Sequence, residues 1–553
     1  TKDAEHLRLA RLFDHRVVFD PLARGEDALD GLHANTQIPK AIGAERDCAL
    51  TGEGRYCRVA ETFWSRVAKE RSYAIGGHSE DEHFFPVKHF SRHVGESTAE
   101  TCNTYNMLKL SRALFLRDRV PARIDFYERG LFNHILASND PASGEVTYYV
   151  PMKPGAWRTY STREDSFWCC VGTGMENPSR FGEAIYARSA DALYVNLFLA
   201  SELRWREQGL RLRQVTRFPQ EETTRLELAL DAPRRFALRV RRPEWAAAGF
   251  RVSVNGRTAE VSGGPSAYVS LESEWHDGDV VEVALPTSLR AEAMPDDASV
   301  VAFLRGPIVL AADLGPTGAA KRFGPTNPEL RTDDTTALPT LVASSPGEAL
   351  ARLRPAGEPL TFRSDGIGRP ADVVLRPFYA LYDRRHSVYL RVEAEAAAAR
   401  RETDARAADD ARRAVDARTL DSVVVGAPAD EQAHGLELER AGAWSLEGHS
   451  CRSTRYGGWF GYRLRLPEAG PAALRVTYWG GETRRHSFEV TAEGETLATQ
   501  SLFDDRPGEL YEVEYVLPER LTRGRDTLRI AFRTGPRQST GAIFQVRTVR
   551  PAM

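Results

Sequence analysis

The sequence predicts a multidomain protein in which a helical domain precedes antiparallel β-sandwich domains, and three observations carry that reading. From residue 1 to about 190, apolar residues recur at three- and four-residue spacing, as in AEHLRLARLFDH, YCRVAETFWSRVAKER and YNMLKLSRALFLRD, the period of a helix face. After Asp191 the pattern becomes short alternating runs (ALYVNLFLA, RLRQVTRF, TRLELAL, ALRVRR, VVEVALP) broken by turn-rich pieces such as NGRT and HDGD, the period of half-buried strands. Between Ala394 and Arg418 the residues are almost only Ala, Arg, Asp and Glu, a composition that suits a solvated helix or spacer rather than a packed core.

These patterns divide the chain in order. Residues 1–190 hold six or seven helices, and 191–306 read as a β-sandwich. Residues 307–393 are richer in Pro and Gly but contain strand-like FYALY and VYLRVEA, which predicts a second β-module. A charged helical linker is expected over 394–425, followed by a terminal β-sandwich over 426–553 with YGGWFGYRLRLP, ALRVTYWG, HSFEVTAEG and TLRIAF as strands. Its aromatics Trp459, Phe460, Tyr462 and Trp479 are expected mainly in the core.

A chain of 553 residues is long enough for three or four folding units and a deep pocket. The formal charge of −3 comes from 74 basic and 77 acidic residues. No basic field favours nucleic acid or an anionic membrane, and a neutral partner is expected. No apolar run approaches the ~20 residues that span a bilayer, so a soluble protein is expected. Six cysteines are too few for a disulfide scaffold in so long a chain. Cys48, Cys57 and Cys451 read as small buried residues. The adjacent pair Cys169-Cys170 reads as two free thiols or two metal ligands.

The strongest chemical signal is a pair of separated motifs, AETCNTYNMLKLSR with Glu100 and Cys102, and SFWCCVGTGMENPSRFGEAIY with Cys169 and Cys170. One carboxylate and three thiolates suit tetrahedral zinc. Residues two apart diverge by about 200° on a helix, so Glu100 and Cys102 can converge only where a helix begins. Cys169 and Cys170 are expected on irregular backbone supplied by the following VGTG. A structural zinc site usually shows paired CxxC hooks, absent here, although three unrelated buried cysteines remain an alternative. Upstream, SYAIGGHSEDEHFFP gathers Glu80, Asp81, Glu82 and His83 behind Gly76 and Gly77, where one carboxyl could serve as a general acid. LHANTQIPK offers His33, Asn35 and Gln37 to hydroxyl groups.

The ordered series LHANTQIPK, IGGHSEDEHFFP, AETCNTYNMLKL, YERGLFNHIL, TYYVPMKPG and FWCCVGTGMENPSRFGEAIY resembles the β-L-arabinofuranosidase glycoside hydrolases, families 127 and 146, over the helical part and the first sandwich. The resemblance implies an (α/α) helical toroid with a central active site, then β-sandwiches, acting on an arabinose-containing glycan. Residue by residue, Cys169 matches the nucleophile, Glu82 the general acid/base, and Glu100, Cys102, Cys169 and Cys170 the ligands of a Zn2+ ion. His33, Gln37, His83, Glu128 and Tyr149 match positions that bind sugar hydroxyls. A complete toroid needs about twelve helices, more than fit before Asp191. The expectation is therefore an N-terminally truncated helical domain.

The implied chemistry is retaining hydrolysis, in which a zinc-held thiolate attacks the anomeric carbon while Glu82 first protonates the leaving oxygen and then activates water. Two other readings fit the same residues. One is a glycosidase or lyase of the same scaffold acting on another sugar. The other is a non-catalytic carbohydrate-binding protein with a structural zinc. Thiolates need reducing surroundings or metal occupancy, conditions that a periplasmic or exported protein can also meet.

Overall fold

In the computed structural model, which describes residues 3–246, 248–261, 263–317, 338–446, 449–468, 470–482, 484–504, 506 and 509–551, helices fill the first third. They are α1 (Ala4–Arg11), α2 (Arg16–Ala23), α3 (Ala34–Thr51), α4 (Gly54–Glu70), α5 (Thr101–Asp118), α6 (Ala122–Gly130) and α7 (Cys169–Arg180). The α4 helix buries Tyr56, Val59, Ala60, Phe63, Trp64 and Val67, the three- and four-residue stripe of an amphipathic helix. Gly52 closes α3 in left-handed backbone (φ +72°), so α3 and α4 form a tight hairpin. That hairpin corrects one expectation. Cys48 and Cys57 are joined as a disulfide, because the turn brings their Cα atoms to 4.9 Å, within bonding reach.

The α5 helix lies at the centre of this domain and is buried along most of its faces. Its first turn contains buried Thr101, Cys102, Asn103 and Thr104, and polar groups so placed require specific partners. The α6 helix continues into a π-turn (Leu131–Ile135) and a 3-10 turn (Leu136–Ser138).

The β-sandwich that follows packs a four-stranded sheet against a six-stranded one. Alternation places Leu210, Leu212 and Gln214 inside and Arg211 and Arg213 outside. Leu212, Leu226, Leu228, Leu238, Val240, Trp275 and Val281 build the shared core. The sheets are antiparallel except that Ala192–Val195 runs parallel to Arg234–Arg242.

The next sheet contains Leu289–Ala293 and Val300–Arg305 together with Ile308–Pro316. The second module therefore begins near residue 289, not 307, because those two strands hydrogen-bond to its sheet and not to the sandwich before it. The part of the expected 307–393 module that covers residues 318–337 lies outside the described residues.

The helix Glu395–Arg418 occupies the Ala/Arg/Asp/Glu stretch. The expected linker extends too far, since Thr419–Val424 is already a strand paired with Ile543–Val549. The chain divides into two compact units, residues 1–397 and 398–553. In the second unit nine strands form one hydrogen-bonded sheet. Tyr478 and Phe488 lie on strands that are not neighbours in it, yet their rings are 5.9 Å apart. The sheet thus folds over itself as a sandwich, with Phe460, Tyr462, Val476, Ile530 and Phe532 in its core.

Candidate active site and metal-binding cluster

Two helix starts and one loop converge in the helical domain. Glu100 is the N-cap residue of α5, with extended backbone (φ −57°, ψ 130°), and Cys102 stands in the first turn. The carboxylate and the thiol can therefore turn to the same side, as the spacing required. Thr101 fastens this start: its N–H donates to the Tyr148 carbonyl (2.9 Å) and its hydroxyl to the Thr147 carbonyl (3.1 Å). Cys169 and Cys170 open α7 behind the N-cap Trp168. The expectation of irregular backbone at VGTG is corrected here, because those residues are helical and the divergence of two neighbouring side chains is met at a helix N-terminus.

The donor atoms of Glu100, Cys102, Cys169 and Cys170 all lie within 4.8 Å of one another. The Cys102 and Cys170 sulfurs are 3.1 Å apart, and Glu100 Oε1 stands 3.8 Å from Cys169 Sγ and 3.9 Å from Cys170 Sγ. The cluster is buried except at Cys169, which is exposed. Only one sulfur can therefore meet an incoming molecule. Contacts with Cys102 and Cys170 hold the Cys169 thiol far below the usual range. The contact with Cys169 pushes Cys102 up, and burial pushes Cys170 up. Burial, then the neighbouring Cys169, raises the Glu100 carboxyl to about 8. Glu100 Oε2 is buried without a hydrogen-bond partner. A buried carboxylate with one oxygen unpartnered and the other beside the cysteine sulfurs completes a set of donors that can hold a metal ion.

The loop with Gly76 and Gly77 brings Glu82 to this cluster. A Cβ at Gly76 would stand 2.9 Å from Gly130 Cα, and one at Gly77 2.7 Å from Ala99 Cβ and from the His134 ring. Only glycine permits that approach. Asp81 and Glu82 both take left-handed backbone (φ +45° and +66°), which is uncommon for residues with side chains and frequent at functional sites. The Glu82 carbonyl accepts from Ala34 N–H (2.7 Å), pinning the loop to the start of α3. Glu80 turns to His93 (2.7 Å) instead of the cluster.

Tyr148, not singled out by the sequence, joins the two halves. Its hydroxyl donates to Glu82 Oε1 and lies 3.7 Å from Cys169 Sγ. Burial, then Glu82, raises its pKa, so it remains a neutral donor. No pattern in the sequence marks it, because Tyr148 and Tyr149 are adjacent in TYYVP and both are buried. Tyr149 packs on Tyr148 (ring centroids 4.7 Å) and forms an isolated bridge with Glu100.

The remaining predicted residues divide. His33 Nε2 is 3.3 Å from Glu82 Oε2, and His83 meets the His33 ring edge-on at 5.4 Å. Gln37 is buried and turned into its own helix, donating to the His33 carbonyl (3.2 Å) and accepting from Lys40 (2.9 Å). Glu128 does not join the cluster. Its carboxylate is buried against Arg241 (2.6 Å) and the Trp245 indole (2.7 Å), so both oxygens are already engaged.

Fold and site together define a helical domain that carries a cluster of one glutamate and three cysteines able to hold a metal ion, beside an acidic loop, followed by β-domains. The chain belongs to the GH127 β-L-arabinofuranosidase family, matching its catalytic domain over residues 1–183 and its middle domain over residues 192–287. Residues 290–392 and 414–549 match two domain families of unknown function. Among solved structures, a GH127 β-L-arabinofuranosidase from Geobacillus stearothermophilus T6 is similar at 20% identity and a TM-score of 0.52, covering 65% of this chain and 60% of that one. A GH127 β-arabinofuranosidase is similar at 22% identity and a TM-score of 0.55, covering 71% and 66%. A structure described as a glycoside hydrolase is similar at 19% identity and a TM-score of 0.56, covering 71% and 73%. The chain thus spans about three fifths of the length of the first of these. No match was found among curated proteins. These likenesses establish the fold, a helical toroid domain followed by β-domains. No helix among the described residues is long and apolar enough to cross a membrane.

Proposed function

We propose that this protein is a retaining glycoside hydrolase that releases β-L-arabinofuranose from an arabinose-containing glycan, with Cys169 as nucleophile and Glu82 as general acid/base. The observation that carries the reading is the Tyr148 hydroxyl, which touches Glu82 on one side and Cys169 on the other. An attacking group and a proton donor that both reach one hydroxyl are near enough to flank a single anomeric carbon, as a retaining mechanism requires.

Glu100, Cys102, Cys169 and Cys170 would hold a zinc ion. Their donor atoms all lie within 4.8 Å of one another, close enough that one ion could take all four as ligands. Coordination to zinc keeps the thiols deprotonated near neutral pH.

Cys169, exposed beside its buried neighbours, attacks the anomeric carbon as the bond to the aglycone oxygen breaks. Glu82 gives that oxygen its proton, leaving the sugar joined to sulfur as a thioether. Glu82 then takes a proton from water, whose oxygen displaces the sulfur and releases the sugar with retained configuration. Tyr148 orients Glu82, and His33, with Nε2 near its other oxygen, does the same from the start of α3. His83, beside His33, and Tyr149, beside Tyr148, would bind sugar hydroxyls.

The test is an aryl β-L-arabinofuranoside assay with zinc measured on the same sample. About one zinc per chain is expected, with kcat/KM falling at least ~10³-fold in Cys169→Ser and Glu82→Gln while both variants stay folded. Zinc with unchanged turnover in Cys169→Ser would sink the nucleophile assignment. Absence of zinc would sink the site.

A further inference from the structure

The second unit carries a recess built on strands Glu437–Leu446 and His449–Arg465. These strands pair antiparallel, with a register shift between Glu439 and Ala441. At that irregularity Arg440 and Tyr456 both hold left-handed backbone (φ +55° each). An Arg440 guanidinium nitrogen donates to the Tyr456 carbonyl at 2.9 Å and locks the two together. Paired backbone of this kind in non-glycine residues persists only where the surroundings over-determine it, often at ligand clamps. It opens a cleft of about 550 Å³ lined by Arg440, Gly442, Trp444, Ser453, Arg455 and Tyr456 together with two alanines.

The lining has a distinct chemistry. Trp444 and Tyr456 are 44% and 59% exposed, whereas the aromatics of the unit's core, Phe460, Tyr462 and Phe532, are buried. The Trp444 indole donates to Ser453 Oγ at 3.2 Å, which fixes its ring. Between them Gly442 pairs with Ser453, and a Cβ there would meet nothing within 4 Å. The floor beside the indole is therefore open. The Arg455 guanidinium stands 5.6 Å over the Tyr456 ring. None of the described lining residues is acidic. Arg440 approaches Glu439 only at 3.9 Å, with both side chains exposed, so that pairing is weak.

An exposed, fixed indole stacks on an apolar ring face, and two guanidinium groups, one of them only weakly paired with a carboxylate, accept one from outside. We propose that this cleft binds a uronate-containing glycan, with the C–H face of a sugar on Trp444 and a carboxylate on Arg440 and Arg455. A phosphate polymer fits less well. Sequence-independent binding to nucleic acid draws on many cationic contacts along the backbone, and the lining offers two, Arg440 and Arg455.

The experiment is affinity electrophoresis of the full chain in gels containing polygalacturonate, with neutral arabinan and single-stranded DNA as separate arms. Retardation by polygalacturonate, weakened by salt and absent with arabinan, is expected. Trp444→Ala and Arg455→Glu should each weaken it about tenfold or more, with zinc content and turnover of the aryl arabinofuranoside unchanged. Because Arg455 is exposed, its variant tests the cleft even if Trp444→Ala loses folding. Four results would each overturn the proposal: no retardation, equal retardation by arabinan, stronger retardation by DNA, or unchanged retardation in a folded Arg455→Glu variant.

Discussion

Tyr148 is the residue whose chemistry depends most on position. It stands between Glu82 and Cys169, so Tyr148→Phe removes one hydroxyl and keeps the ring packing on Tyr149. A fall in kcat of about 10²-fold with little change in zinc content is expected, and a fall in zinc content to match the activity would argue for a merely structural role. Glu128 makes the opposite case. With both oxygens bound to Arg241 and Trp245 in a buried site, Glu128→Gln should lower the melting temperature and leave KM for the aryl glycoside unchanged. A raised KM in a stable variant would restore it to the sugar pocket. The four cluster residues could be read from composition and spacing, because few arrangements make one carboxylate and three cysteines converge. Glu82 could be separated from Glu80 and Asp81 only by the resemblance, since the loop's left-handed backbone at Asp81 and Glu82 decides which carboxyl faces inward and leaves no trace in residue type.

At the scale of elements, the helix starts position the site and α6 anchors the helical domain to the β-domains behind it. Arg241, on a strand of the first sandwich, donates to Asp125 (2.5 Å) and Glu128 (2.6 Å) of α6 and to the Asn196 carbonyl (2.6 Å). Just beyond α6, Asn133 donates to the Pro307 carbonyl (2.8 Å) and accepts from Val309 N–H (2.7 Å). Arg241→Met strands two buried carboxylates, and a loss of about 3–5 kcal/mol is expected in denaturant unfolding. A loss below ~1 kcal/mol would show that water reaches them. In the second unit His434 lies 3.3 Å from Asp421. Burial opposes charge on both groups. Even so, the Asp430 carbonyl and Asp421 raise the His434 pKa above its ordinary 6.5, while the Arg465 N–H, His434 and the Arg465 side chain lower that of Asp421 below 3.8. The His434 contribution is complete below its unfolded pKa and is lost as pH rises through the folded one. The Asp421 contribution is present above its unfolded pKa and is lost in acid. Stability of this unit should therefore decline as pH rises above the ordinary histidine value of 6.5, and scanning calorimetry should show that decline abolished in His434→Gln. The amphipathic helices and alternating strands were legible because burial imposes their periods. The parallel pairing of Ala192–Val195 with Arg234–Arg242 was not, because residue alternation is the same for either strand direction.

For the whole molecule, the division into units 1–397 and 398–553 predicts two unfolding transitions. Chelation should lower only the first, because the cluster of Glu100, Cys102, Cys169 and Cys170 lies wholly within that unit; a shift of both would show that the units melt as one. By itself the sequence determined the order of helical and β domains, the solvated, unpacked character of the stretch that forms a helix at 395–418, and which glutamate and three cysteines gather as a set that could hold a metal ion. Each of these follows from local period, composition or the rarity of its residue types. Tertiary structure decided the Cys48–Cys57 disulfide, the start of the second β-module at Leu289, the withdrawal of Glu128 into an ion pair and the place of Tyr148. These depend on which segments meet in space, and partners distant in the chain leave no periodic signal in the residues around either one.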